Sequence, residues 1–484
     1  MIDHRTYGFR EDDYIYAAHP DPSFARRNWL SLDGEWILEH RGSERKIRVP
    51  YPIGSELSGV DFRDSGTFIY RRDFEIPGWS EEKRYLLKVG AADYESSVRV
   101  NGIELGSHVG GYASFALDMS HALREGTNRI EIEVRDSHSP FQVRGKQTFL
   151  RGPFAVWYAG ISGIWQPVWV EETGPGLIAR AETRVDFVSR RIRVVAYLDI
   201  ADESPNAARG WELSVSVRSS RGVPGSGTGG SGGEAPDGFQ AAHYGERTFL
   251  AEYSERDGRF ECSFGFDEIG AALWSHSEPN LHAMSLRLSR DGKPSDQVES
   301  YFGIREIKTG RDGIRINGDK TFLRMALVQG YYPGGVYAPE SYSRMESDLV
   351  ALKSLGYNGA RVHEKVESPY FSYLCDRLGI MTSFEIPSFY LPSSRGFERY
   401  ASELEELILR DMAHPSCIMR MLFNETWGVW GIYGCRSKTR KFVLAMRDLA
   451  KRLDPTRPVI DNSGWEHIRT DIVDVHHYLR SAAL

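Results

Sequence analysis

From residue 306 onward the chain changes from two-residue alternation to a repeating order of apolar strand and amphipathic helix, which narrows the available folds sharply. Asn317-Gly318 marks a hairpin-type turn, and Phe322 to Val328 predicts a first strand. Met345, Leu349, Leu352 and Leu355 share one helical face, which Gly356 ends. Asn358 to Val362 predicts the second strand, followed by a helix through Phe371, Leu374 and Leu378 that stops at Gly379. Ile380 to Phe384 is the third strand and runs into Glu385-Ile386-Pro387. A helix through Leu404, Leu407 and Ile408 leads to His414-Pro415, and Cys417 to Phe423 is the fourth strand. After a helix through Phe442, Met446, Leu449 and Leu453, Val459-Ile460 and Ile472 to His476 give strands five and six. Apolar strands joined by crossover helices predict a parallel β/α barrel. A closed barrel takes eight such units and typically about 250 residues. Six strands over 306–484 fall short of that, and an open arc leaves unpaired edges. The expectation is a barrel lacking two strands, either truncated or completed by a partner.

Upstream the pattern is all β. In residues 1–174, Gly34 to Leu38, Phe68 to Phe74 and Ser97 to Val100 read as strands, the last followed by the tight turn Asn101-Gly102. Ile130, Ile132 and Val134 alternate onto one face, and Ile164 to Val170 closes the region. Many short strands with turns between them predict a jelly-roll β-sandwich. Residues 175–305 repeat the signal at Ile192 to Leu198, Leu213 to Val217, Thr248 to Leu250 and Met284 to Leu288, which predicts a small immunoglobulin-like sandwich. The stretch 222–238 is rich in Gly and Ser and too poor in apolar residues to order itself, so a flexible loop is expected. The fold class is thus multidomain β plus α/β.

Composition excludes several partners. The net charge of −7 gives no basic footprint for nucleic acid. No apolar run is long enough to span a membrane as a helix, and the charged start Met1-Ile2-Asp3-His4-Arg5 is followed by no apolar h-region. Cys262, Cys375, Cys417 and Cys435 lack metal-ligand or disulfide-framework spacing, so a reducing, cytoplasmic setting is the default; no cofactor and no metal ligand is assigned, and a metal requirement is left open. Whether the chain forms a homo-oligomer is left open.

The chemistry concentrates at the end of the fourth strand. Ile418 to Phe423 is followed at once by Asn424, Glu425 and, two residues on, Trp427. Reacting residues of β/α barrels sit at the C-terminal ends of strands. A carboxyl desolvated beside an indole titrates higher, as a general acid requires. The plain alternative is a helix start, with Asn424 as cap and Glu425 in the first turn.

Several further stretches resemble glycoside hydrolase family 2, the β-galactosidase and β-glucuronidase family. They are Leu32-Asp33-Gly34-Glu35-Trp36, Ser162 to Trp169, Gly303-Ile304-Arg305-Glu306, Ile316-Asn317-Gly318, Tyr357-Asn358-Gly359-Ala360-Arg361, His414-Pro415-Ser416, Asn424-Glu425 and Asp454 to Val459. The resemblance implies a jelly roll, an immunoglobulin-like sandwich and a TIM barrel acting on terminal β-linked sugars. It implies Glu425 as general acid/base of a retaining enzyme and Asn424 on the sugar 2-hydroxyl. Arg324 matches the family's strand-one Arg, and Glu385 its strand-three carboxylate. Arg361 and His363 at the second strand end, Trp427 and Trp465 as stacking surfaces, and His476 with Tyr478 at the sixth complete the candidate substrate-binding set. Lys146, Gln147 and Trp157 lie in a first-domain loop that in relatives can approach the pocket, and Lys365 with His363 hints at an acidic sugar. Retaining hydrolysis needs a second carboxylate about 5 Å away. Glu385, Asp461 and Glu466 lie near strand ends but match no nucleophile motif. The chain is therefore expected to be an inactive or impaired hydrolase, or a non-catalytic carbohydrate-binding protein on the same scaffold.

Overall fold

The computed structural model describes residues 18–200, 209–221, 242–243, 246–432 and 437–478; the expected loop at 222–238 lies outside them. The first sandwich pairs two antiparallel sheets. One runs in the order 43–49, 34–40, 66–74, 128–136, 95–100 and 103–109; the other takes 29–31, 168–173, 84–89 and 115–118. Ile130, Ile132 and Val134 are fully buried between them, with Trp36, Phe68, Leu87 and Val168. Each such aliphatic side chain contributes about 1.5–3 kcal/mol on burial. Asn101 and Gly102 both take positive φ, as the hairpin turn requires.

The second unit is a seven-stranded antiparallel sheet folded around Val194, Leu213, Val215, Phe264 and Leu286. Short strands at 307–310, 313–316 and 319–321 then lead into the parallel part, with Asn317 and Gly318 again at positive φ.

Five parallel strands follow in sequence order: β1 (Met325–Val328), β2 (Gly359–Val362), β3 (Met381–Glu385), β4 (Cys417–Met421) and β5 (Val459–Ile460). Helices α1 (Tyr342–Ser354), α2 (Pro369–Leu378), α3 (Ser394–Asp411) and α4 (Lys438–Leu453) connect them as the 3.6-residue period predicts. Gly379, at φ +69°, caps α2 where expected.

The sixth strand does not form. Residues 472–476 join no ladder, and Val473 and Val475 are exposed. The reason lies just upstream. β5 is two residues long, and the chain then turns around Asp461, whose carboxylate accepts the N–H groups of Asn462, Ile468 and Arg469. No long edge is left for residues 472–476 to pair with. The described barrel is thus an open arc of five strands, with Leu327 exposed on its first strand.

The sandwich and the arc share one core. Tyr112 and Trp165 of the first domain pack with Tyr337, Phe389, Tyr400 and Leu404 of the third. Buried Lys365 faces this junction, its ammonium 5.5 Å from the Trp165 ring and held within the third domain by the carbonyls of Gly330 and Tyr337 and the carboxylate of Glu367.

Candidate active site

Past β4 the backbone keeps its parallel register with the segment after β5. Leu422 N–H donates to Ile460 O, Ser463 N–H to Phe423 O and Glu425 N–H to Ser463 O. Glu425 and Thr426 then adopt left-handed φ values of +50° and +63°. For a β-branched Thr this costs on the order of 1–3 kcal/mol. It is held there by Asn462, whose Oδ1 accepts from Thr426 N–H at 2.8 Å. This rules out the helix-cap alternative: α4 begins only at Lys438.

The side chains at the strand ends form one continuous polar chain. His363, after β2, places Nδ1 2.5 Å from Glu385 Oε2 at the end of β3. Arg361 donates to both Glu385 oxygens at 3.3 and 3.2 Å and to Asn424 Oδ1 at 2.9 Å. Its other terminal nitrogen lies 2.8 Å from His476 Nε2, and His476 Nδ1 lies 2.5 Å from Glu425 Oε1. Since Arg361 can only donate, His476 Nε2 accepts and the ring proton sits on Nδ1, facing Glu425. Tyr478 also donates to Glu425 Oε1.

Electrostatics follow from these contacts. Burial pushes the Glu385 carboxyl up, but the charges of His363 and Arg361 outweigh it and hold it well below the usual range. Burial likewise raises the Glu425 carboxyl, yet the hydrogen bonds from His476 and Tyr478 carry the net shift downward, with the Trp427 indole adding a further donor. The raised acid expected from a neighbouring indole is therefore not what this arrangement gives. Donors around the carboxylate win over desolvation. Glu364 goes the other way, to about 7, through burial first and the nearby charge of Glu385 second.

Not every candidate joins the chain. Arg324 is exposed before β1 begins, at the strand's N-terminal end, and its Nε donates to Gly356 O behind α1. The predicted strand started too early, because the Asn358 side chain takes Phe322 O and Arg324 N–H out of the ladder. Trp465 is exposed on the loop after β5. Lys365 is buried with its ammonium taken by the Gly330 and Tyr337 carbonyls and by Glu367, and offers nothing to an acidic sugar. A groove of about 540 Å³ lined by Leu327, Tyr331, Met345 and Phe371 shares no residue with the polar chain.

Three family profiles match the chain in order: the glycosyl hydrolases family 2 sugar-binding domain over 18–168, the glycosyl hydrolases family 2 profile over 210–305, and the family 2 TIM-barrel domain over 340–481. The chain belongs to glycosyl hydrolase family 2. Among curated family 2 proteins, a β-galactosidase of Bacteroides ovatus is 25% identical over 97% of this chain and 55% of its own length. A β-glucuronidase of Bacteroides fragilis is 24% identical over 91% of this chain and 62% of its own. The solved β-D-glucuronidase of Dictyoglomus thermophilum superposes with a TM-score of 0.70 at 20% identity, over 93% of this chain and 74% of that one. The chain spans about half the length of the curated relatives it matches.

Several groups of this family 2 site carry no local signal in the sequence. Ser463 and Gly464 seat His476: the ring lies where any Cβ on Gly464 would be, 2.4 Å away. Thr426 is fixed by Asn462 and by a hydrogen bond to Glu466. The first-domain loop does reach the barrel: Arg144 and Gly145 N–H both donate to Ser388 O at 3.0 Å, and the Trp157 ring meets Trp427 edge-on at 5.0 Å. A polar residue just after a strand, or a Gly before an aromatic, are the signals that would flag such positions.

Proposed function

We propose that this chain carries the acid/base half of an exo-acting retaining β-glycosidase site, with Glu425 as the acid/base. The observation that supports it is the unbroken path from Glu385 through Arg361 and His476 to Glu425, at strand ends where barrel enzymes place their chemistry. The similarity to proteins named β-galactosidase and β-glucuronidase supports the same substrate class.

In the first step Glu425, as the acid, gives its proton to the glycosidic oxygen while a second carboxylate attacks the anomeric carbon and the C–O bond breaks. In the second, the Glu425 carboxylate takes a proton from water as that water displaces the enzyme carboxylate. Donors from His476 and Tyr478 favour the ionised form and so suit the second step. For the first step the incoming glycosidic oxygen takes over one of those contacts. Asn424, fixed through its Oδ1 by Arg361, and Arg361 itself form the wall on which a sugar hydroxyl is held.

No nucleophile is assigned among the described carboxylates. Glu385 is engaged by His363 and Arg361, Asp461 by three backbone N–H groups and His467, and Glu466 by Thr426. That engagement also favours a second reading, a carbohydrate-binding protein that retains the scaffold without turnover. Three buried free thiols, Cys262, Cys375 and Cys417, fit the cytoplasmic setting that goes with either proposal.

The test is a panel of nitrophenyl β-galactoside, β-glucuronide and β-mannoside, followed by binding calorimetry and by absorbance. Binding of one sugar that weakens in Asn424→Ala, with turnover near the uncatalysed rate, is the expected result. Failure of every sugar to bind overturns the proposal. A gene continuation that restores Glu425-dependent turnover favours the enzyme over the binding protein.

A further inference from the structure

We propose that the rim between the first-domain loop and the barrel is the acceptor site for a flat, uncharged aromatic leaving group. This rests on Glu425 as the acid/base, because a general acid stands beside the bond to the group it protonates. Two residues beyond Glu425, the Trp427 indole meets two further indoles edge-on: Trp157 at 5.0 Å and Trp430 at 5.0 Å. Trp157 also meets Tyr390 at 5.3 Å. These rings come from both domains, and the arrangement is braced. Tyr390 N–H donates to Pro140 O and its hydroxyl to Gln147 O, while Gly145 packs so close that a Cβ there would lie 1.9 Å from Glu364 O.

What the rim offers a ligand is apolar. Trp430 is 44% exposed, and Leu150 and Val156 of the first-domain loop that carries Trp157 are 52% and 48% exposed. Exposed apolar side chains on both sides of the Trp157–Trp427–Trp430 contact mark an interaction surface between the two loops. The indoles of Trp157, Trp427 and Trp430 give a second sugar's hydroxyls no side-chain acceptor; on the same loop the exposed polar side chains are Arg151 and Tyr158. An aryl ring needs only faces and edges, and each aromatic contact is worth about 0.5–1.5 kcal/mol beyond the area it buries. The outer rim thus selects the leaving group, while Asn424 and Arg361 hold the sugar.

The probe is 2-naphthol, followed through the indole N–H signals of the full chain, which has 11 Trp. Saturable shifts of Trp157, Trp427 and Trp430, with buried Trp36 and Trp274 unmoved, are expected. Naphthol affinity should fall by about fivefold or more in Trp157→Ala. Val156→Glu, an exposed change that leaves the fold intact, should weaken it as well. A naphthyl β-glycoside should bind about tenfold tighter than the methyl glycoside of the same sugar, a difference of about 1.4 kcal/mol. No shift at these indoles, or equal affinity of naphthyl and methyl glycosides, overturns the acceptor site. Naphthol bound at the rim with no β-glycoside recognised leaves the apolar site standing and removes the glycosidase reading. Glycosides bound without naphthol do the reverse.

Discussion

His476 places Nδ1 2.5 Å from Glu425 Oε1, across 51 residues of sequence. Its other nitrogen is tied to Arg361, so the imidazole proton is aimed at the carboxylate and cannot turn away without breaking a second contact. The protonation of Glu425 is thereby set by a residue on another segment of the chain.

His476→Ala should raise the Glu425 pKa, because the donor is lost while burial remains. The sign follows from the depressed folded value: the contact contributes stability above the ordinary carboxylate range and loses it as pH falls through that value. Carbon-13 titration of labelled Glu checks this. A curve that does not move would mean that His476 does not control the acid/base.

Arg361→Ala should destabilise the fold by about 3 kcal/mol, since it leaves the buried Glu385 charge with His363 alone. Arg361→Lys should recover only part of this, because one ammonium cannot reach Glu385, Asn424 and His476 as a planar fork does. Urea unfolding of the three proteins measures the difference, and full rescue by Lys would contradict it.

Gly145→Ala should lift the first-domain loop off the barrel mouth. Its φ of +59° and the 1.9 Å approach to Glu364 O leave no room for a methyl group. A loss of about 1–3 kcal/mol is expected, with a changed Trp157 indole environment. Urea melts and the indole spectrum read both.

Glu403, on α3, accepts the Tyr112 N–H at 2.8 Å inside the domain junction, and burial pushes its carboxyl up to about 8. A raised carboxyl reverses the usual sign: the fold loses stability as pH rises from the ordinary carboxylate value towards 8, by about 1.4 kcal/mol per unit. Glu403→Gln keeps the accepting oxygen and removes the charge. Its melting temperature should match the parent near pH 5 and exceed it at pH 8; parallel profiles would contradict this.

Much of the scaffold was legible because its periods are local. Ile130, Ile132 and Val134 announce a sandwich face, and Met345, Leu349 and Leu352 a helix against a sheet. Asn424-Glu425 was legible because an apolar strand ends in a polar pair. The failures are long-range. Val473 and Val475 alternate like a strand, but a strand exists only when a neighbouring edge does, and β5 is too short to offer one. Arg324 sits in an apolar-looking run whose ladder is cut short by the Asn358 side chain. Trp157 lies 270 positions from the Trp427 it touches, and no local pattern records that contact.

The most direct test of Glu425 as half of a catalytic pair is hydrolysis of nitrophenyl β-glycosides by the 484-residue chain and its Glu425→Gln variant. The expected result is sugar binding by both proteins with turnover near the uncatalysed rate. Rapid turnover by the 484-residue chain would contradict the absence of a second catalytic carboxylate, and rapid turnover that survives Glu425→Gln would also remove Glu425 from the pair.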